Sequence, residues 1–196
     1  MRLCTCEDTS LAVIVISARR TDLLAEVVDS IRAQEPDELL VVADAIESAD
    51  FPFLNVAPIT RTTIDALVKR DVGTVATKSA NICYLSDDHK LGHDFVRNFK
   101  EKYVSEPWDL LAPSRYTIRG QKIYPLNVGE REGYIGGHCG IYRRKTIQKL
   151  PWSASPHHPN WDLLHSHLLT RQGLVLQYAR ADLAVEDIEP GASPWL

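Results

Sequence analysis

The stretch Asn81-Ile-Cys-Tyr-Leu-Ser-Asp-Asp-His89 decides the fold class of this 196-residue chain. Asn81 to Leu85 is a short, mostly apolar run of the kind shown by a strand covered on both faces. It runs straight into Ser86, Asp87 and Asp88. Ligands of open parallel sheets bind beyond the carboxyl ends of strands, which is where this acid pair falls. Two adjacent carboxylates at a buried exit repel each other, and a divalent cation is the usual way to keep both ionised. The plainer reading of the pair taken alone is an exposed turn, with Asp capping the helix that follows.

Outward from this stretch, strand and helix patterns alternate. Leu11-Ala-Val-Ile-Val-Ile16 and Glu38-Leu-Leu-Val-Val42 read as two more buried strands, the second ending at Asp44. Thr21 is a plausible cap for a helix with Leu23, Leu24, Val27, Val28 and Ile31 on one face. Ile64, Leu67 and Val68 predict a short helix stopped near Gly73, and Phe95, Val96, Phe99 and Tyr103 mark another. This alternation predicts an α/β fold: a single domain with a mostly parallel twisted sheet flanked by helices.

From about Trp108 to Tyr142 the chain breaks into short extended pieces with turn residues. A short helix is expected over Thr146–Leu150, and a longer one follows Asn160, with Gly173 as its stop. Leu174–Tyr178 reads as a last strand, and an irregular end is expected after it. No repeat or linker divides the chain.

Composition narrows the function. The sequence is 44% hydrophobic and 24% charged with a net charge of -4, which suits an ordinary globular protein and gives no general attraction to polyanions. Arg143-Arg144-Lys145 is the one local basic run, expected to be a solvated face. No apolar run reaches the roughly 18 residues that span a bilayer. The acidic opening is unlike a secretory signal. Cys83 and Cys139 lie in apolar runs, where reduced, buried thiols are expected. Together these features suggest a cytoplasmic protein.

Three blocks carry a family resemblance. Tyr84-Leu-Ser-Asp-Asp-His-Lys-Leu-Gly-His-Asp-Phe-Val96 resembles the metal-binding segment of family 2 glycosyltransferases of the GT-A fold. Val13-Ile-Val-Ile-Ser-Ala-Arg-Arg-Thr-Asp-Leu-Leu24, continuing to Ser30-Ile-Arg-Ala-Gln34, looks like that family's first strand, nucleotide loop and helix. Gly136-Gly-His-Cys-Gly-Ile-Tyr-Arg-Arg-Lys145, then Trp161-Asp162, then Gly173-Leu-Val-Leu-Gln177, looks like its acceptor-side half. The departures are Ser86, where many members carry a further Asp, and Trp161, where an acidic residue precedes the matched Asp162. By this resemblance, residues about 11–105 form a nucleotide-sugar-binding half and about 106–196 an acceptor-side half.

The resemblance implies an inverting, metal-dependent enzyme that moves a sugar from a UDP- or GDP-type nucleotide donor to an acceptor hydroxyl. Mn2+ or Mg2+ is the implied cation, with Asp88 its ligand and Asp87 the supporting acid; His89 is a further candidate ligand. The family's late ligand, commonly His, has no counterpart after His167, and Glu186 or Asp187 is the candidate substitute. Asp162 is the candidate general base, a role worth about 10²–10⁴-fold, although a helix start favours Asp regardless. Ala18 and Arg19 in the first loop, Asp44 after the second strand, and Lys78 before the acid-bearing strand are candidates to hold the nucleotide. Gly136 and Gly137 permit close backbone approach to a sugar, and His138 is placed to face the acceptor. His165 and His167, two apart on a helix, point in different directions and make no chelating pair.

Two other classes stand beside this one. A nucleotidyltransferase shares the sheet and metal logic but usually carries a glycine-rich first loop, which Ser17-Ala-Arg-Arg-Thr21 lacks. A non-catalytic nucleotide-sugar-binding protein fits the short acceptor side. The acceptor itself (small molecule, glycan, protein or modified nucleic-acid base) is left open by the sequence.

Overall fold

Six consecutive apolar residues form strand β1 (Leu11–Ile16), all of them buried. Successive side chains of a strand point to opposite faces. Val13 and Val15 therefore enter one apolar layer, and Ile14 and Ile16 the other. This central strand belongs to a computed structural model that describes residues 8–17, 21–43, 52–55, 63–118, 121–123, 139–154, 161–180 and 182–188.

Helix α1 (Thr21–Arg32) leads to β2 (Glu38–Ala43), which is followed by β3 (Phe53–Asn55) and α2 (Thr63–Ala76). Next come β4 (Asn81–Ser86), β5 (His89–Leu91) and α3 (Phe95–Lys102). The second half supplies β6 (Leu110–Ala112), β7 (Arg115–Ile118), β8 (Gln121–Ile123), β9 (Cys139–Arg143) and α4 (Arg144–Lys149). A 3-10 turn (Trp152–Ala154), α5 (Trp161–Arg171), β10 (Leu176–Tyr178) and β11 (Ala184–Asp187) complete it.

Seven strands form the main sheet in the order β10-β6-β9-β4-β1-β2-β3. Only β9 is reversed, being antiparallel to both β4 and β6. The remaining four form a small sheet in the order β5-β11-β7-β8. Helices α1 and α3 cover one face of the main sheet through Leu24, Val27, Val28, Ile31, Phe95 and Phe99. On the other face, α2, α4 and α5 contribute Leu67, Ile147 and Leu169. This is the α/β fold expected from the alternation of patterns.

Three expectations need correcting. Gly73 does not stop α2; the helix continues to Ala76. A Cβ built on Gly73 would lie 2.6 Å from Cγ2 of Ile14, so glycine is there to let the helix approach the sheet. Ile14 is fully buried in the central strand and has little room to yield. Overpacking of this kind costs about 1–3 kcal/mol, against a helix-propensity gain of at most ~1 kcal/mol. Gly73→Ala is therefore expected to lower the urea midpoint by an amount equivalent to about 1–2 kcal/mol at unchanged slope. An unchanged midpoint would mean that Ile14 moves aside freely.

The second correction lies after Tyr178, where an irregular stretch was expected and Ala184–Asp187 form a strand instead. Strand β11 pairs antiparallel with β5 and parallel with β7, and so joins the last residues described to the segment just after Asp88. Gly173 does terminate α5, with φ of 77° in the left-handed region that glycine tolerates. The basic run also differs from expectation at Arg143 and Arg144, while Lys145 is exposed as expected. Arg143 stacks 3.9 Å over the ring of Trp108 and donates to the carbonyls of Val104 and Glu106, while Arg144 donates to those of Ser79 and Thr74. Both guanidiniums bind the fold together rather than forming a solvated face.

Candidate active site

Strand β4 delivers the acid pair. β1 and β4 are parallel with Ile16 opposite Ser86, so Ser17 and Asp87 leave the sheet side by side. The residues after the strand stay covered: Asp87 is 1% exposed, Asp88 5% and His89 2%. This excludes the exposed-turn reading. Nor does Asp88 cap the next helix; Asp94 precedes α3 and makes no side-chain cap. Nδ1 of His89 lies 2.5 Å from Oδ1 of Asp88.

The small sheet holds this corner in place. The main-chain N–H of Ile188 donates to the Asp88 carbonyl at 3.0 Å, and the β5–β11 register sets Asp187 opposite His89. Three of the expected metal residues are thus neighbours along the backbone, although the Asp187 side chain lies outside the described residues. Among the described residues, no group of three His, Cys, Asp or Glu side chains is arranged to hold an ion alone. A buried carboxylate pair nevertheless fits Mg2+ or Mn2+, which take one or two carboxylates and complete their shell from phosphate oxygens and water. Asp88, with Asp87 beside it and His89 against it, would provide the protein's share.

Asp162 lies in the first turn of α5 and is partly buried. Because α5 ends just before β10, which enters the sheet at its amino end, the first turn of the helix lies toward the carboxyl ends of the strands. One turn further on, fully buried His165 stacks on Trp152 with ring centroids 4.0 Å apart. Trp152 in turn packs edge-on against Tyr84 and Tyr142. Arg70 from α2 lies 5.3 Å from the Trp152 ring. Burial lowers the Arg70 pKa to about 10, opposed by the charges of Tyr142, Tyr84, Asp162 and Asp71. The box thus couples α2 to the helix that carries Asp162.

Burial, reinforced by the Arg70 charge, holds the His165 pKa down to about 3. The unfolded value is about 6.5. Between these values the unfolded chain takes up a proton that the folded chain refuses. Stability is therefore unaffected by this group above pH ~6.5 and falls toward pH 3, by up to ~1.4 kcal/mol per pH unit. The melting temperature should drop more steeply from pH 7 to pH 4 in the wild type than in His165→Phe; equal slopes would assign the acid sensitivity to other groups. His167, by contrast, is exposed, so the two histidines do point apart.

The remaining candidates separate clearly. Lys78 lies at the wrong end of the sheet: its main-chain N–H donates to the carboxylate of Glu38, the first residue of β2. The length of β4, roughly 20 Å at the usual rise per residue, separates it from Asp87. Ala18, Arg19, Asp44, Gly136, Gly137 and His138 lie outside the described residues. Ala18 and Arg19 directly follow Ser17, and Asp44 follows the last residue of β2. Cys83 and Cys139 are buried thiols, with sulfurs 3.5 Å apart across β4 and β9. Burial and the neighbouring thiol push the Cys139 pKa well above its ordinary value.

Two residues escaped the sequence reading. Lys69 and Arg70 are each only 3% exposed, and Lys69 donates through Nζ to the Ser17 carbonyl at 2.6 Å. The visible signal was weak: two consecutive cations in a helix whose other face is apolar.

A mostly parallel sheet with one reversed strand, and a covered acid pair beside the exit of the first strand, define a three-layer α/β fold with its candidate site at the strands' carboxyl ends. No protein-family model and no curated protein sequence matches the chain. Among solved structures 456 chains match, so the architecture is widely used and by itself names no reaction. One is the mannosyltransferase PcManGT from Pyrobaculum calidifontis, solved in complex with GDP-Man and Mn2+. It superposes with a TM-score of 0.63 at 14% identity, over 93% of this chain and 58% of that one. The fold is thus a glycosyltransferase fold, and the chain spans little more than half the length of that neighbour.

Proposed function

We propose that this chain is a metal-dependent glycosyltransferase that moves a sugar from a nucleoside-diphosphate donor to an acceptor hydroxyl, with inversion. The observation that carries this reading is the covered Asp87–Asp88 pair at the end of β4, beside the exit of β1, in a glycosyltransferase fold. A GDP-sugar such as GDP-mannose heads the donors to be tested, because the structural neighbour holds one; a UDP-sugar is the alternative.

When bound, Mn2+ or Mg2+ supplies the positive charge that offsets the charge developing on the departing diphosphate. Asp88 would hold that ion, supported by Asp87, His89 and Asp187, with the strand ladder to β11 tying the Asp88 main chain to residue 188. The β1 exit with Ala18 and Arg19, and the β2 exit with Asp44, receive the nucleoside. By the family resemblance alone, Gly136, Gly137 and His138 are the candidates to contact sugar and acceptor. Asp162 takes the acceptor proton as the acceptor oxygen bonds to the anomeric carbon, while the bond from that carbon to the phosphate oxygen breaks and its electron pair leaves with the nucleoside diphosphate. One displacement inverts the anomeric centre.

Residues about 11–105 bind the donor and about 106–196 serve the acceptor, apart from β11, which crosses back to the metal corner. No helix among the described residues is long and apolar enough to cross a membrane. The buried thiols Cys83 and Cys139 favour a cytoplasmic setting.

The test is incubation with a panel of GDP- and UDP-sugars in Mn2+, Mg2+ or EDTA, following both binding heat and released nucleoside diphosphate. Metal-dependent binding with slow release of sugar and nucleoside diphosphate is expected. Pyrophosphate release from a nucleoside triphosphate would instead identify a nucleotidyltransferase, and tight binding with no turnover a non-catalytic binder.

A further inference from the structure

We infer that Lys69 supplies a second positive charge to the diphosphate of the bound nucleotide, the role that sequence reasoning gave to Lys78. The inference rests on the nucleotide-site reading above.

Its basis is placement. Lys69 rises from α2 to donate to the Ser17 carbonyl at 2.6 Å, while the Ser17 N–H donates to the Val42 carbonyl at 2.9 Å. The ammonium therefore lies where β1 and β2 end together. The β1–β4 register, with Ile16 opposite Ser86, then sets the Ser17 main chain that the ammonium holds at the level where the acid pair leaves the sheet. An isolated diphosphate brought to this corner is repelled by two carboxylates. A cation held by Asp88 offsets that repulsion on one side, and Lys69 offsets it from the other.

Burial strengthens the effect. An ammonium is costly to take out of water, and with only 3% of the residue exposed its attraction to an anion is far less screened than at a surface. A second, independent observation points the same way. Ser17 is fully buried, and its Oγ has no hydrogen-bond partner among the described residues. Buried hydroxyls are nearly always satisfied. A phosphate oxygen held by Lys69 would give this one an acceptor.

Calorimetry of a nucleoside diphosphate (GDP and UDP) and of the matching uncharged nucleoside, in EDTA and in Mn2+, tests the assignment on wild type, Lys69→Met and Lys69→Gln. The glutamine variant can still donate to the Ser17 carbonyl but lacks the charge, and so serves if the methionine variant does not fold. Loss of a charged hydrogen bond predicts diphosphate affinity about 10- to 100-fold weaker in EDTA, with nucleoside affinity changed less than about twofold. Ser17→Ala should weaken the diphosphate by only a few-fold. Equal losses for diphosphate and nucleoside would mean that Lys69 merely braces the β1 exit, and unchanged diphosphate affinity would likewise overturn the assignment. A wild type that binds no nucleoside diphosphate would bring down the nucleotide-site reading itself.

Discussion

Asp88→Ala is expected to reduce Mn2+-dependent donor binding to the level seen in EDTA and to lower turnover by roughly 100-fold or more. A ligated cation contributes several kcal/mol of charge stabilisation to the reaction, and each ~1.4 kcal/mol is tenfold. The substitution leaves the main-chain bond from Ile188 to the residue 88 carbonyl in place, so β11 should stay docked. It does remove the 2.5 Å contact with buried His89, at a local cost of about 1–3 kcal/mol. Asp88→Asn is therefore the necessary companion: it keeps the shape and a hydrogen bond but weakens metal affinity. If both variants bind donor in Mn2+ as tightly as wild type, the cation is held elsewhere or not at all.

Asp162→Asn should behave in the opposite way. Donor affinity should be preserved, while turnover falls by about 10²–10⁴-fold, the usual worth of a positioned general base. The effect on folding should be modest, and it includes loss of the favourable charge that Asp162 presents to buried Arg70. Asp162 is in the first turn of α5, where an acid gains about 0.3–1 kcal/mol from the helix macrodipole. A full loss of turnover at nearly unchanged melting temperature thus separates chemistry from stability. Turnover within about threefold of wild type would move the base elsewhere and leave the metal assignment standing.

The sheet was legible because its central strands are extreme. Leu11–Ile16 and Asn81–Ser86 are buried on both faces, so their sequences are nearly continuous apolar runs that local pattern alone identifies. Helices α1 and α3 were legible for a related reason, each burying a regular stripe of Leu, Val or Phe. Strand β11 was not. Ala184-Val-Glu-Asp187 is four residues long, and what makes it a strand is its register with β5, more than ninety positions earlier in the chain. Long-range pairing leaves no local periodicity to read.

The site divides in the same way. The places of Asp87 and Asp88 directly after an apolar strand, and of Asp162 at a helix start, were legible, although their roles are proposals. Of two lysines, Lys78 was placed wrongly and Lys69 was passed over. Lys78 precedes β4 in sequence, but a strand separates in space what it joins in sequence, and the residue before it belongs to the opposite end of the sheet. Lys69, in the middle of a helix, would ordinarily face solvent. Its burial follows from how closely Gly73, one turn on, lets α2 settle on Ile14.

The ladder between β5 and β11 also constrains the order in which the molecule can mature. A growing chain can lay β1, β2 and β4 together early, since all three lie within its first 86 residues. The corner around Asp88 has no such independence: its clamp is not made until residue 188 has been synthesised. A nascent or truncated chain lacking that segment would present a largely formed core with an unclosed acidic corner, so any ligand held at that corner should be captured only after the sheet around it has formed.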